Sequence, residues 1–243
     1  MTDVTYPPLD VPKPVADGVW VVDSGPLHLA GAPLPVRMTV LRLADGSLLL
    51  HSPTNHTAAV QAALEQIGPI AHLVAPNTAH WSYMQDWQRH LPGATYWAVP
   101  GLRKRPAVVR SGLRIDRDLP DGEPDEWGGT MQSVLVRGLG VVEAALFHVS
   151  SRTLVLTDLI VNVEKSKLPW PLSLGAQLVG SVSPHGRAPI YLRAAIKSGG
   201  KEATDAGKRI VALEPQRVIF AHGDWFATDA PQQLADRLSW LTR

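Results

Sequence analysis

The chain has 243 residues, with 23 Lys and Arg against 22 Asp and Glu, a formal net charge of +1, and 45% hydrophobic residues. This length is sufficient for one large domain or two small ones with a substantial buried core. The balanced charge argues against a dedicated nucleic-acid-binding protein, which usually carries a basic excess on one face. Because the sequence contains no cysteine, disulfides, thiolate nucleophiles and cysteine-ligated metal sites are excluded.

The N-terminal residues 1–18 are rich in proline and lack the basic and then apolar pattern of a secretory signal. We expect this segment to form an extended arm, because proline is excluded from helix interiors and central strands. No stretch of the chain approaches the roughly 20 apolar residues that span a bilayer. The sequence therefore predicts a cytoplasmic protein with no membrane partner.

The first half of the chain begins with a hairpin signal. Two apolar runs, 38–43 and 47–51, flank a turn that contains Asp45 and Gly46, after a Gly- and Pro-rich segment, 25–35, which we expect to be a loop. A change to helical periodicity follows, and Asn55 is the predicted helix cap. Alternating strands and helices come next, with strands at 70–75 and 94–99, a helix at 82–91 and an irregular surface segment at 103–129.

The second half repeats this rhythm without an intervening linker. The patterns predict strands at 131–137, 143–149, 153–158 and 217–221 and a Pro- and Trp-rich insertion at 162–189. They also predict a helical region at 190–213, weakened at Gly199 and Gly200, and a closing helix at 230–241. Hairpins mixed with helical crossovers favour layered sheets with helices outside. We therefore predict one α/β (α+β) domain over residues 1–243.

Residues capable of metal binding or proton transfer follow several of these strands. They are His51 after the hairpin, Asn77 and His80 after strand 70–75, Asp158 after strand 153–158, and His222 after strand 217–221. In layered α/β proteins, sites collect at the carboxyl ends of strands, where loops converge. The sequence therefore predicts a site at this edge.

The order of these motifs resembles the metallo-β-lactamase superfamily. Segment 153–158 is similar to the strand that ends in that superfamily's metal-bridging Asp, and segment 218–223 is similar to its final His-Gly motif. The resemblance extends over residues 19–241 and points to a divergent bacterial branch. It implies a four-layer αββα sandwich with metal-dependent hydrolytic chemistry at the strand ends.

The chain departs from the superfamily pattern at three places. The His-x-His-x-Asp-His motif would occupy 77–82, where only His80 is present, and the next histidine ligand would fall near Leu139. The Asp-containing turn after the hairpin is replaced by His51, Ser52 and Pro53. A binuclear zinc site is therefore not carried over, and the resemblance transfers only Asp158 and His222 residue by residue.

A reduced mononuclear site remains possible with these residues. His80, Asp158 and His222 supply two nitrogens and a carboxylate, with Glu143 as a fourth ligand or general base, a donor set that suits Zn, Fe or Mn. Asp158 and His222 are the predicted catalytic residues. His51 and Asn77 are the predicted substrate-binding residues, and His51 is also a candidate proton carrier.

Two functions from different classes follow from this pattern. The first is a metal-dependent hydrolase acting on a small molecule, from which an iron-dependent oxidoreductase is not separable by sequence. The second is a protein that has lost its metal and serves as a small-ligand-binding or assembly module. In that case Asp158 is a turn cap, His80 a packing residue, and Glu143 the partner of an arginine.

Overall fold

The strands of the protein form two β-sheets with helices on both outer faces. The computed structural model describes residues 3–29 and 32–243. Met1 and Thr2, at the start of the predicted arm, lie outside the described residues. The rest of that arm is mostly irregular, and its end, Lys13–Ala16, forms an edge strand.

The first sheet contains seven strands in chain order: β1 (Lys13–Ala16), β2 (Val19–Leu29), β3 (Ala32–Arg42), β4 (Leu48–His51), β5 (Ile70–Ala75), β6 (Thr95–Ala98) and β7 (Arg117–Asp118). Strands β1 to β4 are antiparallel, and β4 to β7 are parallel. The connections between the parallel strands contain α1 (Ala58–Glu65), α2 (Met84–His90) and α3 (Pro106–Ser111). The predicted hairpin around Gly46 is present.

The second sheet has the order β11-β10-β9-β8, from strands β8 (Met131–Gly138), β9 (Val141–His148), β10 (Thr153–Val155) and β11 (Arg217–Ile219). Between β10 and β11 the chain forms α4 (Trp170–Val179), α5 (Ile190–Lys197) and α6 (Gly200–Ala212), and it ends with α7 (Ala230–Thr242). The predicted break at Gly199 and Gly200 separates α5 from α6. The parallel pairing of β10 with β11 brings their carboxyl ends to one edge.

Side-chain alternation in the second sheet divides the core into two layers. Ala144 and Leu146 of β9 belong to a cluster that also contains Leu50 and Val74 of the first sheet. Their neighbours on the opposite face, including Phe147, pack with residues of α6 and α7. Because successive side chains of a strand point to opposite faces, this partition indicates two sheets packed face to face with helices outside. The predicted αββα sandwich is thus confirmed.

The structure corrects three local predictions. In segment 25–35, residues 25–29 and 32–35 belong to strands and not to a loop: β2 pairs with β3, with a register shift between Ser24 and Leu27. Pro26 sits at this irregularity, where a missing N–H is tolerated. Ala30 and Gly31 of this segment lie outside the described residues. Helix α1 is capped by Thr57, whose side chain accepts a hydrogen bond from the Val60 N–H, and not by Asn55. Segment 103–129, predicted to be irregular, contains the short helix α3.

None of the helices within the described ranges combines the length and the apolar character needed to cross a membrane.

Candidate metal centre

Three of the predicted site residues meet at one edge of the two sheets. His80 follows β5 of the first sheet, whereas Asp158 and His222 follow β10 and β11 of the second. The parallel strands end at the same edge, so their following loops converge. Residues more than 140 positions apart in the sequence are thereby in contact.

The ligand atoms of these residues face one another. The Nε2 atoms of His80 and His222 are 3.2 Å apart. His80 Nε2 is 3.4 Å from Asp158 Oδ2, and His222 Nε2 is 3.5 Å from Asp158 Oδ1. A tetrahedral zinc ion with bonds of about 2.0 to 2.1 Å places neighbouring ligand atoms about 3.3 to 3.4 Å apart. The spacing and the donor types of the three side chains therefore fit a single divalent metal ion.

Hydrogen bonds on the far side of each ring set the direction of the histidine lone pairs. His222 Nδ1 is 2.7 Å from the carbonyl oxygen of Pro35. Because a carbonyl only accepts, Nδ1 carries the hydrogen, and in the neutral ring Nε2 presents its lone pair to the centre. His80 Nδ1 is 2.8 Å from the Ser52 hydroxyl, which holds the second ring with its Nε2 facing the same point.

Asn77 links the His80 loop to the Asp158 loop. Its side-chain amide donates to Asp158 Oδ2 at 2.8 Å and to the Thr157 hydroxyl at 3.1 Å. Its side-chain oxygen accepts hydrogen bonds from the backbone N–H groups of Ala79 and His80, both at 2.8 Å. Asn77 therefore holds the side chain of Asp158 directly, and it holds His80 through the backbone N–H of that residue.

Glu143 lies behind Asp158 and is 1% exposed. Its carboxylate accepts hydrogen bonds from the backbone N–H groups of Thr157 at 2.8 Å, Asp158 at 3.0 Å and Leu159 at 3.2 Å. These contacts shape the turn that presents Asp158, and the group that could hold a metal ion consists of His80, Asp158 and His222. The role of Glu143 as ligand or general base stays a prediction, and its contacts favour a positioning role.

The electrostatic environment favours the metal-binding forms of Asp158 and His222. Burial disfavours the charged form of Asp158, but the His80 and His222 imidazoles and the Asn77 amide lower the pKa of its carboxyl. Burial and the neighbouring His80 lower the pKa of His222, which favours the neutral ring. Burial and the Asp158 carboxylate raise the pKa of Glu143. An ionised carboxylate and a neutral imidazole are the forms that bind metals.

His51, at the end of β4, is 1% exposed, and its Nε2 has no hydrogen-bond partner among the described residues. Burial and the nearby His80 lower the pKa of His51 to about 3. It is not among the described residues that line the cleft, whereas Asn77 is. Of these two predicted substrate-binding residues, only Asn77 is in a position to contact a molecule in the cleft.

His80, Asp158 and His222 line a cleft with a volume of about 800 Å³. The sequence did not predict that Ser52 and the Pro35 carbonyl contact the two histidine rings. It also did not predict that side chains of α4 line this cleft. Ser52 follows the same strand as His51, so its position at a strand end was an available signal. The contact between the Pro35 carbonyl and His222 was not predictable, because the sequence predicts a loop, and not a strand, at segment 25–35.

Comparison with solved structures shows that the fold is that of metallo-β-lactamases. A metallo-β-lactamase from Pontibacter korlensis superposes with a TM-score of 0.61 at 13% identity, over 96% of this chain and 98% of that chain. FIM-1 from Pseudomonas aeruginosa, in its mono-zinc form, gives a TM-score of 0.64 at 13% identity, over 99% of this chain and 96% of that one. The enzyme from Hirschia baltica gives 0.62 at 12% identity, over 95% and 96%. At such low identity, the similarity establishes the fold alone.

Residues 16–178 match the model of the family DUF4336, described as a domain of unknown function, and the chain belongs to this family. Among curated proteins, no sequence matches the chain.

Proposed function

We propose that the chain is a metal-dependent hydrolase with a single divalent metal ion held by His80, Asp158 and His222. The observation that carries this proposal is the convergence of two imidazole nitrogens and one carboxylate at mutual distances of 3.2 to 3.5 Å. Zn, Mn and Fe all suit two histidines and a carboxylate. Zn has the strongest support, because the spacing matches a tetrahedral site.

In the proposed reaction, the metal ion and the protein side chains have different roles. A divalent ion at such a site supplies Lewis acidity and lowers the pKa of a water molecule toward about 7. The ionised Asp158 provides negative charge, and the Asn77 amide keeps that carboxylate in place. The hydrogen bonds of His80 to Ser52 and of His222 to Pro35 keep both rings oriented before a substrate arrives. Asn77 is also the predicted substrate contact, since it lines the cleft.

Hydrolysis assays with matched variants test this proposal. Protein loaded with Zn, Mn or Fe is assayed with p-nitrophenyl esters and with bis-p-nitrophenyl phosphate. We expect metal-dependent turnover that falls by about 100-fold or more in Asp158→Ala and His222→Ala. His185→Ala removes an exposed histidine in the loop between α4 and α5 and should retain full turnover. Turnover that is independent of metal, or that survives in both ligand variants, contradicts the proposal.

The same geometry supports a second candidate function, a small-ligand-binding protein without a metal. The three side chains can satisfy one another, because Asp158 lies within ion-pairing distance of both imidazoles. Burial opposes a positive charge on His80, but the Asp158 carboxylate raises the pKa of His80 overall, which favours an imidazolium at this position. A purified protein that takes up no Zn, Mn or Fe but binds a ligand in the cleft would favour this candidate.

A further inference from the structure

The cleft above the metal centre has mostly aliphatic walls. Its lining includes Leu34, Val36, Val161, Leu172 and Val179, and its polar groups are concentrated around the three ligand residues. Ligand pockets of about 300 to 1,000 Å³ accommodate small organic molecules, so a cleft of about 800 Å³ has room for more than the reacting group alone. The remainder of a bound molecule therefore contacts hydrocarbon.

The charged groups of the cleft do not favour an anionic substrate. Arg37 is the one Lys or Arg among the described residues that line it. Its guanidinium is 3% exposed and lies 2.8 Å from Asp23. It also donates to the carbonyl oxygens of Phe220, at 3.1 Å, and Gly223, at 2.7 Å. Asp23 neutralises the charge of Arg37, and both terminal nitrogens already have partners. Only the buried Nε has no partner among the described residues, so we do not expect Arg37 to pair with a carboxylate or phosphate on a ligand.

One wall of the cleft is formed by α4, whose ten residues contain no charged side chain. Leu172, Ala176 and Val179 of this helix line the cleft, and their spacing of four and three residues places them on one face. Leu174 and Leu178 do not line it and are 51% and 77% exposed. One face of the helix therefore forms the cleft wall and the other is exposed to solvent. Substitutions on the two faces can be compared to test the role of the wall.

We propose that the cleft takes a neutral substrate consisting of one hydrolysable carbonyl group and a long apolar chain, with the carbonyl group at the ligand residues and the chain along α4. This inference rests on the proposed function for the bond that is cleaved. It adds the substrate class: uncharged esters or amides of medium-chain fatty acids, and not carboxylated or phosphorylated metabolites.

A homologous series of neutral amides tests the apolar walls by binding alone. N-methyl hexanamide, octanamide and decanamide are titrated calorimetrically into the purified, zinc-loaded protein. Each methylene that enters an apolar wall should strengthen binding by about two- to fourfold, the upper value corresponding to about 0.8 kcal/mol. Affinity that does not change along the series overturns the inference.

A terminal charge tests the absence of a free cation partner. The N-methyl monoamide of sebacic acid has the ten-carbon chain of N-methyl decanamide but carries a carboxylate at the far end. Both amides are compared on the metal-free protein, because a bound zinc ion could itself take the carboxylate. We expect the charged amide to bind at least about tenfold more weakly than the neutral amide, since no free lysine or arginine among the described cleft residues compensates the buried charge. Leu172→Arg should reduce that preference to below about threefold. Leu174→Arg, on the outer face of the same helix, is the matched control and should keep it. Equal binding of both amides to the wild-type protein contradicts the inference.

These outcomes separate the substrate class from the chemistry. If the neutral amides bind in order of chain length but no ester is hydrolysed, the substrate class holds and the proposed function fails. If short or charged esters are hydrolysed while chain length has no effect on binding, the proposed function holds and the substrate class is wrong. Circular dichroism establishes that the arginine variants are folded, and the two wild-type titrations decide the inference if a variant is not.

Discussion

At the scale of single residues, the site depends on groups that do not touch the metal position. Ser52 and the Pro35 carbonyl orient the two rings, while Asn77 and Glu143 hold the turn that presents Asp158. Such outer hydrogen bonds commonly change metal affinity by about 10- to 100-fold when they are removed. The ligand residues alone therefore do not define this centre.

Replacing Glu143 by glutamine tests its positioning role. Glutamine has nearly the same shape but loses the charge and one of the acceptor oxygens that hold the backbone N–H groups of residues 157–159. We expect zinc affinity to fall by about 10- to 100-fold and the free energy of unfolding to fall by about 1 to 3 kcal/mol. Competition with a zinc-binding dye and urea unfolding provide the two values. Glu65→Gln, at an exposed position on α1, should change neither. Unchanged zinc affinity in Glu143→Gln would show that this carboxylate does not position Asp158.

Because His51 is buried, we expect it to lower the stability of the folded protein in mild acid. Burial and the neighbouring His80 lower its pKa from 6.5 to about 3. Between these values the unfolded chain binds a proton at His51 that the folded chain does not, so stability falls as the pH decreases from 6.5 toward 3. One such proton corresponds to about 1.4 kcal/mol per pH unit.

The variant His51→Leu removes this titration and an unpartnered buried nitrogen. We expect the free energy of unfolding of the wild type to decline more steeply, by about 1 kcal/mol per pH unit between about pH 6 and pH 5, than that of the variant. Urea unfolding at the two pH values measures both slopes. His185→Leu, which replaces an exposed ring, should keep the wild-type slope. Parallel slopes for wild type and His51→Leu would refute the assignment.

At this scale, position after a strand was enough to group the three residues that could hold a metal ion. His80, Asp158 and His222 each follow a segment of clear strand character, and sequence reasoning grouped them before any distances were known. The partners of their rings were not predictable in the same way. Pro35 contributes through a backbone carbonyl, which any residue possesses, and its contact depends on how β2 pairs with β3.

At the scale of elements, the turn after β11 shows why a glycine follows the ligand His222. Gly223 has φ of +98°, and a Cβ atom there would lie 2.1 Å from the carbonyl oxygen of Asn162. The two strand-end loops thus approach each other too closely for any side chain. This contact places His222 next to the segment that follows Asp158.

Gly223→Ala tests this close approach. We expect the free energy of unfolding to fall by at least about 2 kcal/mol, because the variant combines backbone strain with a steric overlap that the backbone of Asn162 must relieve. Zinc affinity should fall as well, since His222 moves with the turn. The matched control is Gly93→Ala, at an exposed position where a Cβ atom meets nothing within 4 Å. Thermal unfolding compares the two, and equal stability would mean that the loops are not in contact.

The elements themselves were predictable to different degrees. The Asp45–Gly46 hairpin, the parallel strands and the break at Gly199 and Gly200 follow from local sequence signals, and the structure confirms them. No helix was predicted within the insertion 162–189, where α4 contains Pro171 and Gly175 and ends before Gly180. However, Pro171 lies in the first turn, where its missing N–H costs nothing, and Gly180 is the left-handed cap that ends the helix.

At the scale of the whole molecule, the centre exists because two sheets pack face to face. Neither half of the chain contains all three residues of the proposed metal site. His80 follows a strand of the first sheet, whereas Asp158 and His222 follow strands of the second. Hairpins mixed with helical crossovers and the order of the motifs predict this layered arrangement. The cleft and its apolar wall were not predictable, because they depend on where α4 lies relative to the sheet edge.

The number of zinc ions bound per chain is the decisive measurement for this site. Wild-type protein, His222→Ala, Asp158→Ala and the control His185→Ala are incubated with excess zinc, desalted and analysed by mass spectrometry for metal and by amino-acid analysis for protein. We predict about one zinc per chain for the wild type and the control, and below about 0.1 for both ligand variants, with their folds intact by circular dichroism. A wild-type protein that retains no zinc, or ligand variants that retain as much as the wild type, would contradict the account.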